Sequence, residues 1–287
     1  MLYTAFIADI VNSKKLLKEE REQIQVFIKK CLGTLNNIFK SSLEFDVTFS
    51  AGDEVQGLFK TPTAAFLYLR IFKLIISPLQ IRAGIGIGEW DVRIISGTSN
   101  EQDGSAYHNA RTAILYAHDR NDYSILFNSN NSNNIYINTL INTSLLFVKN
   151  QSQYQNQVLL LTELMNPLFD NNSMDSLAFA QIFLLVQKKV EQKFYINANN
   201  KLKNNISLFN NIPVSFEPLY IFSSTIFKDK FALTSTLKKG LSAMLSHITN
   251  TSRQNIDNVI KAGNISEIRN IDVTTLLLIY KNFEVNA

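Results

Sequence analysis

The stretch from residue 45 to 59, FDVTFSAGDEVQGLF, constrains the fold of this chain more than any other. A run of apolar and β-branched residues leads into Gly52-Asp53-Glu54, and a second apolar run follows. Glycine adopts the backbone angles of a tight turn without steric cost, and apolar runs on both sides of such a turn are typical of a β-hairpin. The stretch therefore predicts a hairpin with carboxylates at its tip.

The segments around the hairpin predict a sheet with intervening helices. Leu2 to Ile10 is a short apolar run that indicates a buried strand, and residues 80–89 alternate isoleucine with small or charged residues as a strand does. Trp90 to Ile95 is predicted to return beside that strand, and residues 123–127 predict another. Helical patterns lie between them: one capped by Asn12 or Ser13, one starting at Thr61-Pro62, and one from Gly104 to Ala117.

The order of these elements predicts an α+β fold. Strand, helix, hairpin, helix, strand is the order of the split βαβ, ferredoxin-like sandwich, for which we expect one sheet with helices on a single face. An Asn-rich tract, residues 128–134, predicts a linker that divides the chain into residues 1–130 and a mainly helical part, residues 131–287. In the helical part, residues 136–165 and 177–190 have helical spacing, residues 197–211 predict a loop, and residues 233–283 predict three or four short helices.

Composition narrows the compartment and the partners. The single cysteine, Cys31, excludes an intramolecular disulfide and favours a reducing cytoplasm. No apolar run is long enough to cross a bilayer, so no membrane partner is expected. The formal charge of +4 is mildly basic, which permits a nucleotide or nucleic-acid partner without requiring one.

Acidic residues can meet at one end of the predicted sheet. Asp9 ends the first strand and Asp53 lies at the hairpin tip, so they are neighbours if the hairpin flanks the first strand. Carboxylates together with nucleotide phosphates are the usual ligands of Mg²⁺ or Mn²⁺. Glu54 is a further candidate metal ligand, with its side chain expected on the opposite face from Asp53. The alternative is that these acids are unrelated surface residues.

Other charged or small residues have structural interpretations. Arg82 is predicted to pair with a carboxylate, and Arg70 to be solvated on its helix. The glycines within residues 84–88 lack the lysine that ends a phosphate-binding loop. We expect them to let a helix or a ligand approach the strand closely.

Four blocks resemble, in the same order, the catalytic domains of class III nucleotidyl cyclases. They are AFIADIV (residues 5–11), SAGDEVQGLF (50–59), IRAGIGIGE (81–89) and DGSAYHNAR (103–111). The second, third and fourth blocks, with a helical second half, are more similar to the SatD family of bacterial proteins. The resemblance to cyclases implies a palm-type sandwich and a nucleoside triphosphate as substrate.

The cyclase resemblance also implies a metal site and a turn. By position, Asp9 and Asp53 would bind the two metal ions, and Ile10 would contribute its backbone carbonyl. Gly52 would form the hairpin turn next to the nucleotide. Phe49 replaces the base-reading lysine of many cyclases, so selection of ATP through that contact is not supported.

The remaining implied residues come from the segment around residues 101–111. His108 takes the place of an asparagine and Arg111 approximately that of an arginine, which in cyclases act on the nucleotide of a second subunit. A homodimer is therefore implied. Glu101 or Asp103 stands near the position of a base-reading acid.

Residues 249–263, TNTSRQNIDNVIKAG, resemble the turn and recognition helix of a helix-turn-helix, within a segment near residues 233–270. Ile256, Val259 and Ile260 give this helix a face to bury. The side chains expected to meet DNA bases or phosphates are Ser252, Arg253, Gln254, Asn255 and Asn258. A capped helical pair without any nucleic-acid function is the alternative, because the segment has few Lys and Arg.

Together these features predict a metal-dependent nucleotidyl cyclase, or a related nucleotide transferase, acting as a homodimer. The alternative is a non-catalytic regulator that binds a nucleotide in a degenerate cyclase fold. Such a regulator would transmit nucleotide occupancy to a helical part that binds DNA or another partner.

Overall fold

The computed structural model describes residues 2–120, 122–169, 174–175, 180–191, 218–222, 232–233 and 236–285. The strands of its main sheet are β1 (Tyr3–Ile10), β2 (Leu43–Ala51), β3 (Glu54–Phe59), β4 (Ile81–Gly88) and β5 (Ile125–Asn128). The helices are α1 (Lys18–Ile38), α2 (Pro62–Ile76), α3 (Ser105–Asp119), α4 (Asn134–Lys149), α5 (Gln153–Met165), α6 (Ala180–Glu191), α7 (Leu241–Thr249), α8 (Arg253–Ala262) and α9 (Ile265–Phe283). Two short strands, β6 (Leu168–Phe169) and β7 (Leu219–Tyr220), pair in parallel.

Within the described residues the main sheet has the strand order β2-β3-β1-β4-β5. β1 is antiparallel to both of its neighbours, whereas β4 and β5 are parallel. The predicted hairpin is confirmed, since Ala51 of β2 pairs with Glu54 of β3 across the turn Gly52-Asp53. The mixed sheet with many helices confirms an α+β architecture.

The segment from Trp90 to Ile95 does not form the predicted return strand. It makes an isolated bridge between Val92 and Asp103. β4 already has β1 on one edge and β5 on the other, so neither edge is free for another strand. The Trp90 ring instead packs edge-on against Tyr3 with centroids 5.4 Å apart.

Helices cover both faces of the main sheet, so the prediction of a single helical face is wrong. Alternation along β1 places Phe6 in the core covered by α1 and α2, and Ile7 on the opposite face against α3. Gly84 and Gly86 allow α3 this position, because a Cβ at either glycine would lie 2.1 Å from a backbone atom of Ala110. The expectation that these glycines admit a helix is confirmed.

The first two helices begin differently. α2 starts as predicted: Thr61 Oγ1 accepts a hydrogen bond from the Ala64 backbone at 3.4 Å, and Pro62 follows the cap. The predicted cap of α1 at Asn12 or Ser13 is wrong. Asn12 has a φ of 59° and leads into a short 3₁₀ turn at residues 13–15, and α1 begins only at Lys18.

The polar tract after β5 forms a short turn, and α4 then lies along that strand. Asn138 Oδ1 accepts from the Phe127 backbone N–H at 2.7 Å, and Asn138 Nδ2 donates to the Phe127 carbonyl at 3.0 Å. Asn142 Nδ2 donates to the Ile125 carbonyl at 2.8 Å. These amides satisfy groups that a further strand would otherwise pair, so α4 closes this edge of the sheet.

The helical part packs against the sheet part through a shared hydrophobic core that includes residues of α1, α2, α5, α7 and α9. The predicted boundary at residue 130 stays a prediction. The helical spacing predicted for residues 136–165 corresponds to α4 and α5, which are separated by a break at residues 150–152, and residues 180–191 form α6. The predicted loop at 197–211 lies outside the described residues. No helix in the described part of the chain is long and apolar enough to cross a membrane.

Candidate functional site

Four charged residues gather at the end of the main sheet where β1 ends and β3 begins. The β1–β3 ladder ends with Ala8 opposite Val55, so Asp9 and Glu54 are the next residues of the two strands. Arg82 lies directly opposite Asp9 on β4. With Arg111 of α3, these residues form what we call the sheet-end cluster: Asp9, Glu54, Arg82 and Arg111.

The β1–β4 pairing fixes the first ion pair of the cluster. Arg82 Nε donates to Asp9 Oδ1 at 3.0 Å, and the two side chains are 21% and 23% exposed. The prediction that Arg82 pairs with a carboxylate is therefore confirmed. Because the pair stays in contact with water, both groups remain accessible to a ligand.

The second ion pair joins the hairpin to α3. Arg111 Nη2 donates to Glu54 Oε1 at 2.8 Å and Arg111 Nη1 to Glu54 Oε2 at 2.5 Å, a bidentate contact. Ser50 Oγ also donates to Glu54 Oε1 at 2.8 Å. Partial burial raises the pKa of Glu54, but the hydrogen bonds from Arg111 and Ser50 outweigh it and leave the pKa below its ordinary value.

The charge of Arg111 is held by both acids of the cluster. Its hydrogen bonds with Glu54 raise the pKa of Arg111 above its ordinary value, against the opposing effect of burial, and the charge of Asp9 adds to the increase. The two ion pairs therefore lie within electrostatic reach of each other. The sheet end presents two guanidinium groups and two carboxylates to one surface.

Asp53 lies in the turn between β2 and β3, one residue before Glu54. Gly52 has the φ of +62° that such a turn requires, and its carbonyl accepts from Gln25 Nε2 at 3.2 Å. Asp53 is partly exposed. Among the described residues, no three His, Cys, Asp or Glu side chains meet as a complete metal site.

His108 and Arg111 have different partners. The His108 side chain is 72% exposed, and its Nε2 lies 3.1 Å from Asp103 Oδ1. Asp103 Oδ1 also accepts from the Gly104 backbone N–H at 2.8 Å, which places this pair at the start of α3. Arg111, one turn further along the helix, faces Glu54 instead.

The residues expected near the base have packing or capping contacts. Ile10 is buried and Phe49 packs against the core that α1 and α2 cover. The Phe49 carbonyl accepts from Asn100 Nδ2 at 3.3 Å. Glu101 Oε2 accepts from the Thr98 backbone and hydroxyl, which caps the short 3₁₀ turn at residues 99–101.

A buried polar network behind the site was not predicted. Gln56 Nε2 donates to the Ser99 carbonyl at 2.8 Å, and the hydroxyls of Ser99 and Tyr107 are 3.1 Å apart. Burial raises the pKa of Tyr107 to about 12, although its hydrogen bond with Ser99 opposes the shift. The only sequence signal was a glutamine inside the apolar run VQGLF. The network ties β3 to the start of α3.

A second set of charges, which we call the buried ion cluster, joins α2 to α5 and α9: Arg70, Glu163, Arg269 and Asp272. Arg70 binds Glu163 and Asp272, and Arg269 Nη1 donates to Glu163 Oε1 at 2.5 Å. The Arg70 side chain is only 7% exposed, so the prediction that it is solvated is wrong. Burial raises the pKa of Glu163, but Arg269 and Arg70 outweigh it and hold the pKa below its ordinary value.

Helix α8, within the helix-turn-helix candidate, begins at the predicted cap. Ser252 Oγ accepts from the Asn255 backbone at 3.1 Å and caps α8, and Ile256 and Ile260 are buried. The residues proposed to face DNA are all exposed: Ser252, Arg253, Gln254, Asn255 and Asn258. Asp257 shares this face and lies 3.8 Å from Arg253, which reduces the positive charge available for phosphates.

The fold and site define an α+β protein with a mixed sheet that carries charged residues at one end. The SatD family profile matches residues 3–204, and the chain belongs to the SatD family. The match covers the whole sheet and ends before α7, α8 and α9. No curated protein matches this chain.

Solved structures of bacterial light-regulated adenylyl cyclases are weakly similar. One is 17% identical with a TM-score of 0.30, over 44% of this chain and 42% of the cyclase chain. Another is 15% identical with a TM-score of 0.30, over 44% of this chain and 74% of the cyclase chain.

Proposed function

We propose that the sheet-end cluster binds a nucleoside triphosphate together with Mg²⁺ or Mn²⁺. The observation that carries this proposal is the pairing of two accessible carboxylates with two guanidinium groups at one end of the sheet. A metal–triphosphate complex offers the opposite charges to each partner: metal to the acids and phosphate to the arginines. Such a ligand replaces both ion pairs without leaving a charge unpaired.

The acids of this region could supply some of the ligands of a metal ion, with the rest coming from the nucleotide and water. Mg²⁺ usually takes one or two protein carboxylates and completes its coordination with phosphates and water. Asp9 and Glu54 would supply the carboxylates, with Asp53 as a further ligand from the turn. When bound, the metal would neutralise phosphate charge.

The same residues support a nucleotidyl cyclase or a related nucleotide transferase, as the resemblance of the four sequence blocks implies. Arg82 and Arg111 would hold phosphate oxygens after their carboxylates turn to the metal. His108 is exposed on α3, where it is accessible to a nucleotide held by a second copy of the chain. Phe49 is committed to packing, which supports a base preference different from that of cyclases with a lysine there.

Turnover tests this proposal. Purified protein is incubated with each nucleoside triphosphate and Mg²⁺ or Mn²⁺, and pyrophosphate release is measured. We expect release with at least one nucleotide, and loss of it in Asp9→Asn. Asp119→Asn, at the exposed end of α3, is the matched control and should keep the activity. If the protein binds a nucleotide but releases no pyrophosphate with any combination of nucleotide and metal, the result would contradict an enzymatic function and favour a nucleotide sensor.

A regulator that binds DNA is the second candidate function, supported by the exposed polar face of the capped helix α8. It predicts affinity for duplex DNA that falls steeply as salt rises from about 50 to 200 mM. Arg253→Ala should weaken the binding, and Lys149→Ala on α4 should not. Fluorescence anisotropy of a labelled duplex measures both, and no binding at low salt would contradict this function.

A further inference from the structure

A small cavity lies between α2, α4, α5 and α9. Its volume is about 40 Å³, and it is partly open to solvent. Each helix contributes an apolar wall, represented by Leu69, Ile141, Leu159 and Ile268. None of the lining residues belongs to the sheet-end cluster.

The polar part of the lining carries an unbalanced positive charge. Arg70 and Asp272 line the cavity but belong to the buried ion cluster, whose two arginines and two carboxylates balance each other. Lys73 also lines the cavity and adds a further positive charge. No described residue forms a hydrogen bond or salt bridge with its ammonium group.

A cation without a hydrogen-bonding partner in a largely apolar site is unfavourable, and a bound anion would relieve the cost. We propose that this cavity binds a small carboxylate, whose charged group pairs with Lys73 and whose apolar part packs against Leu69 and Ile141. This is a ligand site separate from the proposed nucleotide site. It would join α2, which covers the sheet, to the helical part of the chain.

The size and lining of the cavity select this class of ligand. A single water needs about 10–15 Å³, so a cavity of about 40 Å³ accommodates only a few non-hydrogen atoms. The open side leaves room for the end of a short chain. A phosphate carries more negative charge than one ammonium balances, and Asp272 in the wall repels the excess.

The protonation of Lys73 gives the site a pH signature. Burial lowers the pKa of Lys73 to about 8, with Asp272 opposing the shift and Arg70 adding to it. The charged neighbours are Arg70 on the same helix, Asp272 from α9 and, through Arg70, Glu163 from α5; α4 contributes the uncharged Ser144. A bound carboxylate favours the ammonium form, so binding near pH 8 takes up a proton.

The test measures thermal unfolding and calorimetric binding of the full chain with propanoate, using propanamide as the uncharged control. Propanoate should raise the melting temperature and propanamide should not. The affinity should fall about tenfold between pH 7 and pH 9, as Lys73 loses its proton. Lys73→Met should abolish the shift, whereas Lys29→Met, exposed on α1, should keep it.

Several outcomes would overturn the assignment. They are no shift with propanoate or butanoate, an equal shift with propanamide, and a shift retained in Lys73→Met. Stabilisation by inorganic phosphate but not by carboxylates would also overturn it. Calorimetry of the wild-type chain in two buffers with different ionisation enthalpies measures proton uptake directly, so the test does not depend on the folding of the variant.

Discussion

The sheet-end cluster and the buried ion cluster use the same side-chain chemistry in different surroundings. In both, arginines bind carboxylates through short, partly bidentate contacts. The Arg82 and Asp9 side chains are 21% and 23% exposed, whereas those of Arg269 and Glu163 are 0% and 2% exposed. Solvent access separates a set of charges that a ligand can rearrange from a set that holds helices together.

Desolvation explains this difference in role. A buried charge that loses its partner has neither a counter-charge nor water to stabilise it, whereas an exposed charge is solvated by water. The buried ion cluster therefore fixes the contact of α2 with α5 and α9. The ion pairs of the sheet-end cluster cost much less to break, as the proposed binding of metal and phosphate requires.

Removing one acid from the buried ion cluster is expected to give the largest effect. Glu163→Gln leaves Arg70 and Arg269 without their shared carboxylate and should lower the free energy of unfolding by about 3–5 kcal/mol. Urea unfolding followed by circular dichroism measures the loss. A loss below about 1 kcal/mol would mean that water already reaches these arginines.

Lys73 sharpens the comparison, because it is a cation near the buried ion cluster without a carboxylate of its own. Replacing it with methionine should raise the free energy of unfolding at pH 7 by about 1–2 kcal/mol. This is less than the roughly 3 kcal/mol that the pKa shift alone corresponds to, because Lys73 is partly exposed and solvent screens its charge. Since its pKa is about 8 in the folded chain and 10.5 ordinarily, the unfolded chain binds more protons between these values. The destabilisation by Lys73 is therefore full below pH 8 and disappears as the pH rises to 10.5.

The pH dependence supplies the control for this prediction. The difference in unfolding free energy between Lys73→Met and wild type should shrink across that window, whereas Lys29→Met should show no such change. A difference that is independent of pH would contradict the assignment of Lys73.

The matching change in the sheet-end cluster should have the smallest effect on stability. Glu54→Gln removes the partner of Arg111, whose side chain is 44% exposed, and should cost less than about 1 kcal/mol. Because the pKa of Glu54 is lowered in the folded chain, its contribution is present above the ordinary value and is lost as the pH falls through the folded value. Unfolding measured from pH 7 down to acid should show wild type and variant converge; a large loss at pH 7 would assign Glu54 a structural role.

Local signals predicted much of the fold. The Gly52-Asp53 turn between apolar runs, the Thr61 cap and the glycines of β4 each carry their structural reason in a few neighbouring residues. The face of the sheet covered by α3 was not predictable in this way. An apolar stripe on a helix shows that it packs but does not say on which side of a sheet.

The candidate sites depended on contacts distant in sequence. Asp9 was recognisable as a strand-end acid, but its contact with Arg82 follows from the β1–β4 register, which the strand patterns alone leave open. Arg70 lies in the apolar run FLYLRIFKLII, and its partners are 93 and 202 residues away. The position of Arg70 inside an apolar helix is a sequence signal of burial. Nothing in the sequence around Glu163 or Asp272 identifies them as its partners.

Metal-dependent nucleotide binding tests the central claim most directly. The affinity of the wild-type chain, Asp9→Asn, Arg111→Met and Asp119→Asn for each nucleoside triphosphate is measured by calorimetry with and without Mg²⁺ or Mn²⁺. We predict binding that requires metal in the wild type and Asp119→Asn, and at least about tenfold weaker binding in the two cluster variants, which corresponds to about 1.4 kcal/mol. Equal affinity in all four proteins, or no binding to any, would contradict a nucleotide site at the sheet end.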